Sequence, residues 1–125
     1  MINKFFAAGK RPALGPYRPA TSAGGFVFVS GQIPRGADGK IVDDTIEKAA
    51  AQTLSNLREV LSAAGCKPTD VVKTTVFLRD LADFNGMNAV YARFFGNHRP
   101  ARSTVQVAKL PSNARIEIEC IAAKS

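Results

Sequence analysis

Residues 45–80, "TIEKAAAQTLSNLREVLSAAGCKPTDVVKTTVFLRD", change their apolar period midway, and that change decides the fold. In the first half Ile46, Ala50, Leu54, Leu57, Leu61 and Ala64 recur every three or four residues. This spacing draws one apolar stripe along a helix from about residue 45 to 64. Asp44 is placed to cap it, Glu47 three residues later suits a capping box, and Gly65 is the natural stop. In the second half Val72, Thr74, Val76 and Leu78 alternate, as on one face of a strand. A helix feeding a strand puts the chain in a class that mixes both.

Working outward, "GGFVFVSGQI" (24–33) reads as a buried strand opened by glycines. "PYRPATS" before it is its hairpin partner, turning at Ala23, Gly24 and Gly25, and a further strand is expected near Ile2 to Phe6. "RGADGKIV" holds an Asp38-Gly39 turn signal. Downstream, a second helix spans about residues 83 to 96. Its apolar face carries Phe84, Met87, Tyr91 and Phe94, Asn88 lies at the edge of that stripe, and Gly96 ends it. The strands "ARSTVQVA" and "ARIEIECIA" close the chain, joined by "KLPSNA". The order is β-β-β-α-β-α-β-β. It predicts an α+β fold, a six-stranded mixed sheet with both helices on one face. The other face should carry Phe77, Arg102, Thr104, Gln106, Glu117 and Ile121, neither core nor clean solvent surface. Such a face predicts burial against other subunits.

The totals bound the function. A chain of 125 residues supports one domain, residues 1–125, with a modest core. At 46% hydrophobic and 22% charged it has the balance of a soluble globular protein. No apolar run approaches the roughly 20 residues that span a bilayer. "MINKFFAAGKRP" is too short in its apolar part for a signal-peptide core, so the expected location is cytoplasmic. Two cysteines make no disulfide framework: Cys120 falls in phase with Ile116 and Ile118 as a small hydrophobe, and Cys66 is incidental. The single histidine, His98, has no second ligand at useful spacing, so no metal site is expected. The net charge of +7 admits anionic partners, nucleic acid included. The 17 basic residues are spread from Lys4 to Lys124 without a dense run, which favours a solvated surface or a small anionic substrate over an RNA track.

No serine elbow, phosphate loop, dinucleotide fingerprint or metal cluster is present. What remains is Arg102, on a strand with no acid nearby in sequence, the glutamates Glu117 and Glu119, and the hydroxyl-bearing turn "VSGQIP". An arginine held on a strand suits two parallel hydrogen bonds to a carboxylate, and a glutamate can orient or deprotonate water. Each has a plain alternative. Arg102 could serve an interface ion pair, Glu117 and Glu119 a half-exposed strand, Ser30 a strand end, Tyr17 packing, and Asn88 a helix edge. The residues alone stop at a soluble, oligomeric α+β domain.

The segments "LGPYRPA", "VFVSGQIP", "AAGCKPTDVVKTTVFLRDLADF", "MNAVYARFF", "RPARSTVQVAKLP" and "IEIECIA" go further. In this order, over nearly the whole chain, they resemble the RidA family, the reactive-intermediate deaminases also called YjgF/YER057c/UK114. The resemblance implies a chorismate-mutase-like fold and a homotrimer with a central β-barrel, its sites between subunits. It implies hydrolysis of 2-imino acids and their enamine tautomers (2-aminoacrylate, 2-iminopropanoate, 2-iminobutanoate) to 2-oxo acids and ammonia, without a cofactor. It places the carboxylate-binding arginine at Arg102 and the water-positioning glutamate at Glu117. Tyr17, Ser30, Gly31 (a backbone donor), Asn88 and Thr104 line the cleft. Thr104 stands where archetypal members have cysteine, which leaves substrate preference open. Two other readings stay open beside it: a non-catalytic module for small carboxylates, and an RNA-binding or endoribonuclease protein.

Overall fold

The computed structural model describes residues 3–5 and 14–124. Its strands are β1 (Asn3–Phe5), β2 (Ala20–Ala23), β3 (Phe26–Gln32), β4 (Val71–Leu78), β5 (Ala101–Gln106) and β6 (Ile116–Ala123). Its helices are α1 (Ile46–Ala63) and α2 (Phe84–Phe95). The element order is the expected one. Strands β2 to β6 form the body of one mixed sheet, and β1 adds a three-residue edge beside β2, giving β1-β2-β3-β6-β4-β5. Ile2 and Phe6, the ends of the expected first strand, lie outside the described residues.

Every neighbouring pair is antiparallel except β4 and β5, which run parallel. A parallel pair needs a crossover, and α2 supplies it. Both helices lie on one face, α1 over β3 and β6 and against α2. Val27, Val29, Val76, Leu78, Ile116 and Ile118 point up from the sheet into Leu54, Leu57, Leu61 and Met87. Cys66 is part of that buried core rather than incidental.

Local chemistry explains the ends of α1. The cap is Thr45, not Asp44: the Thr45 hydroxyl accepts from the Lys48 amide at 3.1 Å. Asp44 instead forms an exposed ion pair with Lys48 Nζ. With the cap one residue later, Lys48 and not Glu47 takes the third helical position, so the capping box does not form. At the other end Gly65 adopts φ +79°, the Cys66 amide donates to Leu61 O at 2.8 Å, and the Gly65 amide donates to Ser62 O. Those two bonds are a Schellman stop.

Two expectations about faces change. Val72 is 45% exposed, because the β4–β6 register slips between Val71 and Lys73. The bulge leaves Val72 out of phase, so Val71, Thr74, Val76 and Leu78 face the core. On α2, Val90 and Phe95 are buried with Met87 and Tyr91, while Phe84 and Phe94 pack at the margin. The larger correction concerns β5. In the parallel register Thr74 opposes Arg102, Val76 opposes Thr104 and Leu78 opposes Gln106. Paired residues share a face, so Arg102, Thr104 and Gln106 lie on the helix side. Phe77, Glu117 and Ile121 do lie on the open face, joined there by Phe28, which opposes Ile121, and Val105, which opposes Phe77.

Candidate active site

The expected site residues fall into two groups on opposite sides of the sheet. The first lies where β5 meets α2. Parallel pairing to β4 turns Arg102 under the helix crossover, where its guanidinium carbon sits 4.7 Å from the centre of the Tyr91 ring and 5.6 Å from that of Phe84. Arg115 pairs with Asp83 at 3.2 Å and Arg79 with Asp43 at 3.7 Å, but among the described residues no carboxylate pairs with Arg102. Its donors are held by ring faces and not consumed by an acid. A cleft of about 370 Å³ opens beside it, lined by Asn88, Tyr91, Ala92, Arg99, Pro100 and Arg102. The cleft offers two guanidiniums and an amide, with no acidic side chain in its lining.

Thr104, two residues along on the same side, has a buried hydroxyl oxygen with no hydrogen-bond partner among the described residues. The Tyr91 hydroxyl is bonded at 2.7 Å to Thr74 in the interior. Burial raises the Tyr91 phenol above its usual range, against the opposing effects of the Thr74 bond and the Arg102 and Arg99 charges. It stays a neutral phenol.

The second group surrounds the end of β3. The β3–β6 register shifts between Val29 and Gln32, which takes Ser30 and Gly31 out of the regular ladder. The Ser30 hydroxyl donates to Arg18 O at 2.7 Å and the Ser30 amide donates to Pro19 O, fixing the Gly15–Arg18 segment beside the bulge. Tyr17, on that segment, is largely exposed. Glu117 rises from β6 directly over Gly31: a Cβ at Gly31 would overlap the carboxylate and come within 2.7 Å of Glu117 Cδ. Only glycine leaves that space. Glu117 is half-buried and has no hydrogen bond or ion pair among the described residues. Burial first, and the neighbouring Glu119 charge second, raise its carboxyl above the ordinary value of 4.5.

The structure therefore brings Arg102 and Asn88 together at one cleft, with Thr104 on the same face of β5 but not in the cleft lining, and separately Glu117 and Gly31, with Ser30 beside them and Tyr17 on the segment that Ser30 ties down. It does not bring Arg102 and Glu117 onto one face of one chain. Composition missed Phe84, Tyr91 and Arg99 as members of the first group. The only signal was two aromatics seven residues apart on one helical face, which also describes a core stripe.

Neither thiol is a nucleophile. Burial pushes Cys120 up to about 12 and also raises Cys66. His98 gives its Nε2 to Val71 O at 2.6 Å, and among the described residues no three His, Cys, Asp or Glu side chains converge as a metal would require. The site's working parts are a cation, a carboxylate, an amide, hydroxyls and backbone.

Comparison with known proteins identifies the family. The family model described as Endoribonuclease L-PSP matches residues 8–124. Reactive Intermediate Deaminase A, chloroplastic, of Arabidopsis thaliana is 51% identical over 113 residues, covering 88% of this chain and 59% of that longer protein. The human 2-iminobutanoate/2-iminopropanoate deaminase is 43% identical over 124 residues, covering 98% of this chain and 90% of the relative. The solved structure of E. coli TdcF with bound serine matches with a TM-score of 0.91 at 41% identity, over 98% of this chain and 100% of that one. The match over nearly the full sequence, on the same fold, makes the chain a member of the endoribonuclease L-PSP family, to which the RidA-type deaminases belong.

Proposed function

We propose that the protein is a hydrolytic deaminase that converts small 2-imino acids and their enamine tautomers to 2-oxo acids and ammonia. The observation that carries this reading is an arginine braced on two rings, with no acid partner among the described residues, at a cleft whose lining has no carboxylate. Such a group suits a carboxylate that arrives from outside, taken by two parallel charge-assisted hydrogen bonds. The relatives' names, an imine deaminase in humans and a reactive-intermediate deaminase in Arabidopsis, support the same substrate class. Serine bound in TdcF is a small amino acid of matching size.

The chemistry needs little more. The C=N carbon next to a carboxylate is already electrophilic. Water adds its oxygen to that carbon while the Glu117 carboxylate takes one proton. The proton passes to nitrogen, the tetrahedral carbinolamine collapses, ammonia leaves with the C–N electron pair, and a carbonyl remains. Water plus imine gives oxo acid plus ammonia, with no change of oxidation state and no cofactor. A glutamate with a raised pKa is a better matched base near neutrality than an ordinary one. Holding carboxylate and water in register supplies the rest as orientation and electrostatics.

Because Arg102 and Glu117 face opposite sides of one sheet, one substrate reaches both only where two chains meet. We place the site between subunits of a homotrimer whose open sheet faces form a central barrel, the chorismate-mutase-like arrangement. In this reading Tyr17, Ser30 and Gly31 come from one subunit, and Arg102, Asn88 and Thr104 from the next. No helix among the described residues is long and apolar enough to cross a membrane, which is compatible with work in the cytoplasm.

The test couples the protein to an amino-acid oxidase or threonine dehydratase and follows decay of the released imine. Wild type should accelerate decay and Arg102→Ala should not. Equal rates would reject the carboxylate-binding role. The family's name, Endoribonuclease L-PSP, and the +7 charge favour a second reading, RNA binding or cleavage. Salt-sensitive RNA binding that survives Arg102→Ala, without imine decay, would select it. Tight 2-oxo acid binding with no ammonia release would select a binding module.

A further inference from the structure

Arg102 lies on β5, at the edge of the sheet, half-buried and without a carboxylate to hold it among the described residues. A long side chain so placed has many rotamers, and freezing it costs entropy that substrate binding would otherwise have to supply. Two rings stand where an ion-pair partner would. Tyr91 lies 4.7 Å and Phe84 5.6 Å from the guanidinium carbon, the two rings about two helical turns apart on α2. An acid would consume the fork of donors that a substrate carboxylate needs. A ring face attracts the cation and leaves its edge N–H groups pointing outward.

The Tyr91 ring is itself fixed. Its hydroxyl is bonded at 2.7 Å to Thr74, and Thr74 is the residue opposite Arg102 in the β4–β5 register. The strand position beside the arginine thus anchors the ring that carries the arginine, closing a short loop of contacts. We infer that Tyr91, assisted by Phe84, is a positioning residue for substrate binding, setting carboxylate affinity through Arg102 without touching the reacting carbon. This rests on Arg102 being the carboxylate-binding group.

The test uses the full chain with Tyr91→Leu, Tyr91→Phe, Phe84→Leu and Arg102→Ala. The readouts are kcat and KM for imine decay, the affinity for 2-oxobutanoate by calorimetry, and the thermal midpoint of each variant. Tyr91→Leu keeps bulk but loses the π face, so KM and the oxo-acid Kd should rise roughly 5- to 30-fold with kcat little changed. Tyr91→Phe keeps the face and strands the Thr74 hydroxyl. It should lower the midpoint yet recover most of the affinity. Phe84→Leu, at the margin of the core, should give a smaller rise in Kd and stands in if Tyr91→Leu does not fold. Tyr91→Phe as impaired in Kd as Tyr91→Leu would overturn the inference, as would Phe84→Leu and Tyr91→Leu both binding oxo acid like wild type while Arg102→Ala does not. If Arg102→Ala also binds like wild type, the carboxylate reading itself has failed, and the positioning role falls with it.

Discussion

Glu117 shows how one side chain's surroundings set a pH profile. Burial and then Glu119 raise its carboxyl, so the folded protein holds that proton at pH values where an unfolded chain has lost it. For stability the sign is therefore inverted from the usual carboxylate. The contribution is fully present below the unfolded value and is lost as pH rises through the folded one. As the proposed base, the group must be deprotonated. The acid limb of kcat/KM for imine decay should then lie above the ordinary glutamate value of 4.5, and a limb at or below that value would exclude Glu117 as the base. Glu117→Gln should lose roughly 10²- to 10⁴-fold in rate, while its denaturation midpoint at neutral pH holds or rises. Gly31→Ala should mimic the rate loss in a folded protein, since the new Cβ displaces the carboxylate. Thr104 permits a separate check. Its buried hydroxyl lacks a partner among the described residues, so Thr104→Val should leave the unfolding free energy unchanged or raise it by up to about 1 kcal/mol, read by urea unfolding. None of these environments was legible in sequence. Motifs singled out Arg102 and Glu117 as candidates, but a shifted carboxyl and an orphaned hydroxyl depend on what tertiary packing brings alongside.

At the scale of elements, legibility followed periodicity. The α1 stripe was readable because its face meets only core, and Ile46, Ala50, Leu54, Leu57, Leu61 and Ala64 are all buried. Its first residue was not readable to better than one position, because Asp44 and Thr45 are both good caps and only backbone geometry chooses between them. The choice is measurable. Thr45→Ala should cost about 1 kcal/mol in urea unfolding, whereas Asp44→Ala, which removes only an exposed pair with Lys48, should leave the midpoint where it was. The reverse ranking would restore Asp44 as the cap. Strand faces failed for a different reason. Alternation in "ARSTVQVA" separates Arg102 from Val105 correctly but carries no label for which side the helices cover. Parallel pairing to β4 supplies that label, and a parallel partner cannot be read from β5 alone. Likewise the bulge at Val72 is one extra residue in a run that alternates smoothly on paper.

For the whole molecule, the open sheet face carries the argument. Phe26, Phe28 and Val105 are 44%, 43% and 42% exposed on it, beside Phe77 and Ile121. Bare aromatic surface on a sheet that already packs one face on helices is what a subunit interface looks like before assembly. A cyclic assembly with sites at heterologous contacts lets one chain's Arg102 meet the next chain's Glu117, which the single sheet forbids. The sequence hinted at an interface through its mixed face, but its strand phases put Arg102 and Glu117 on the same side and so gave no reason to divide them between two chains. Subunit mixing decides the matter. Arg102→Ala and Glu117→Gln should each be inactive alone. Unfolded together in equal amounts and refolded, they should form mixed trimers in which a site is whole only when an arginine-bearing chain precedes a glutamate-bearing one. Random assembly makes about one site in four intact, so the mixture should recover about a quarter of wild-type imine hydrolysis, with sedimentation reporting the trimer. Mixing the two without unfolding should recover nothing until subunits exchange. No recovery from a properly assembled mixture would mean that each chain builds its site alone, and the division of Arg102 and Glu117 between subunits would have to be abandoned.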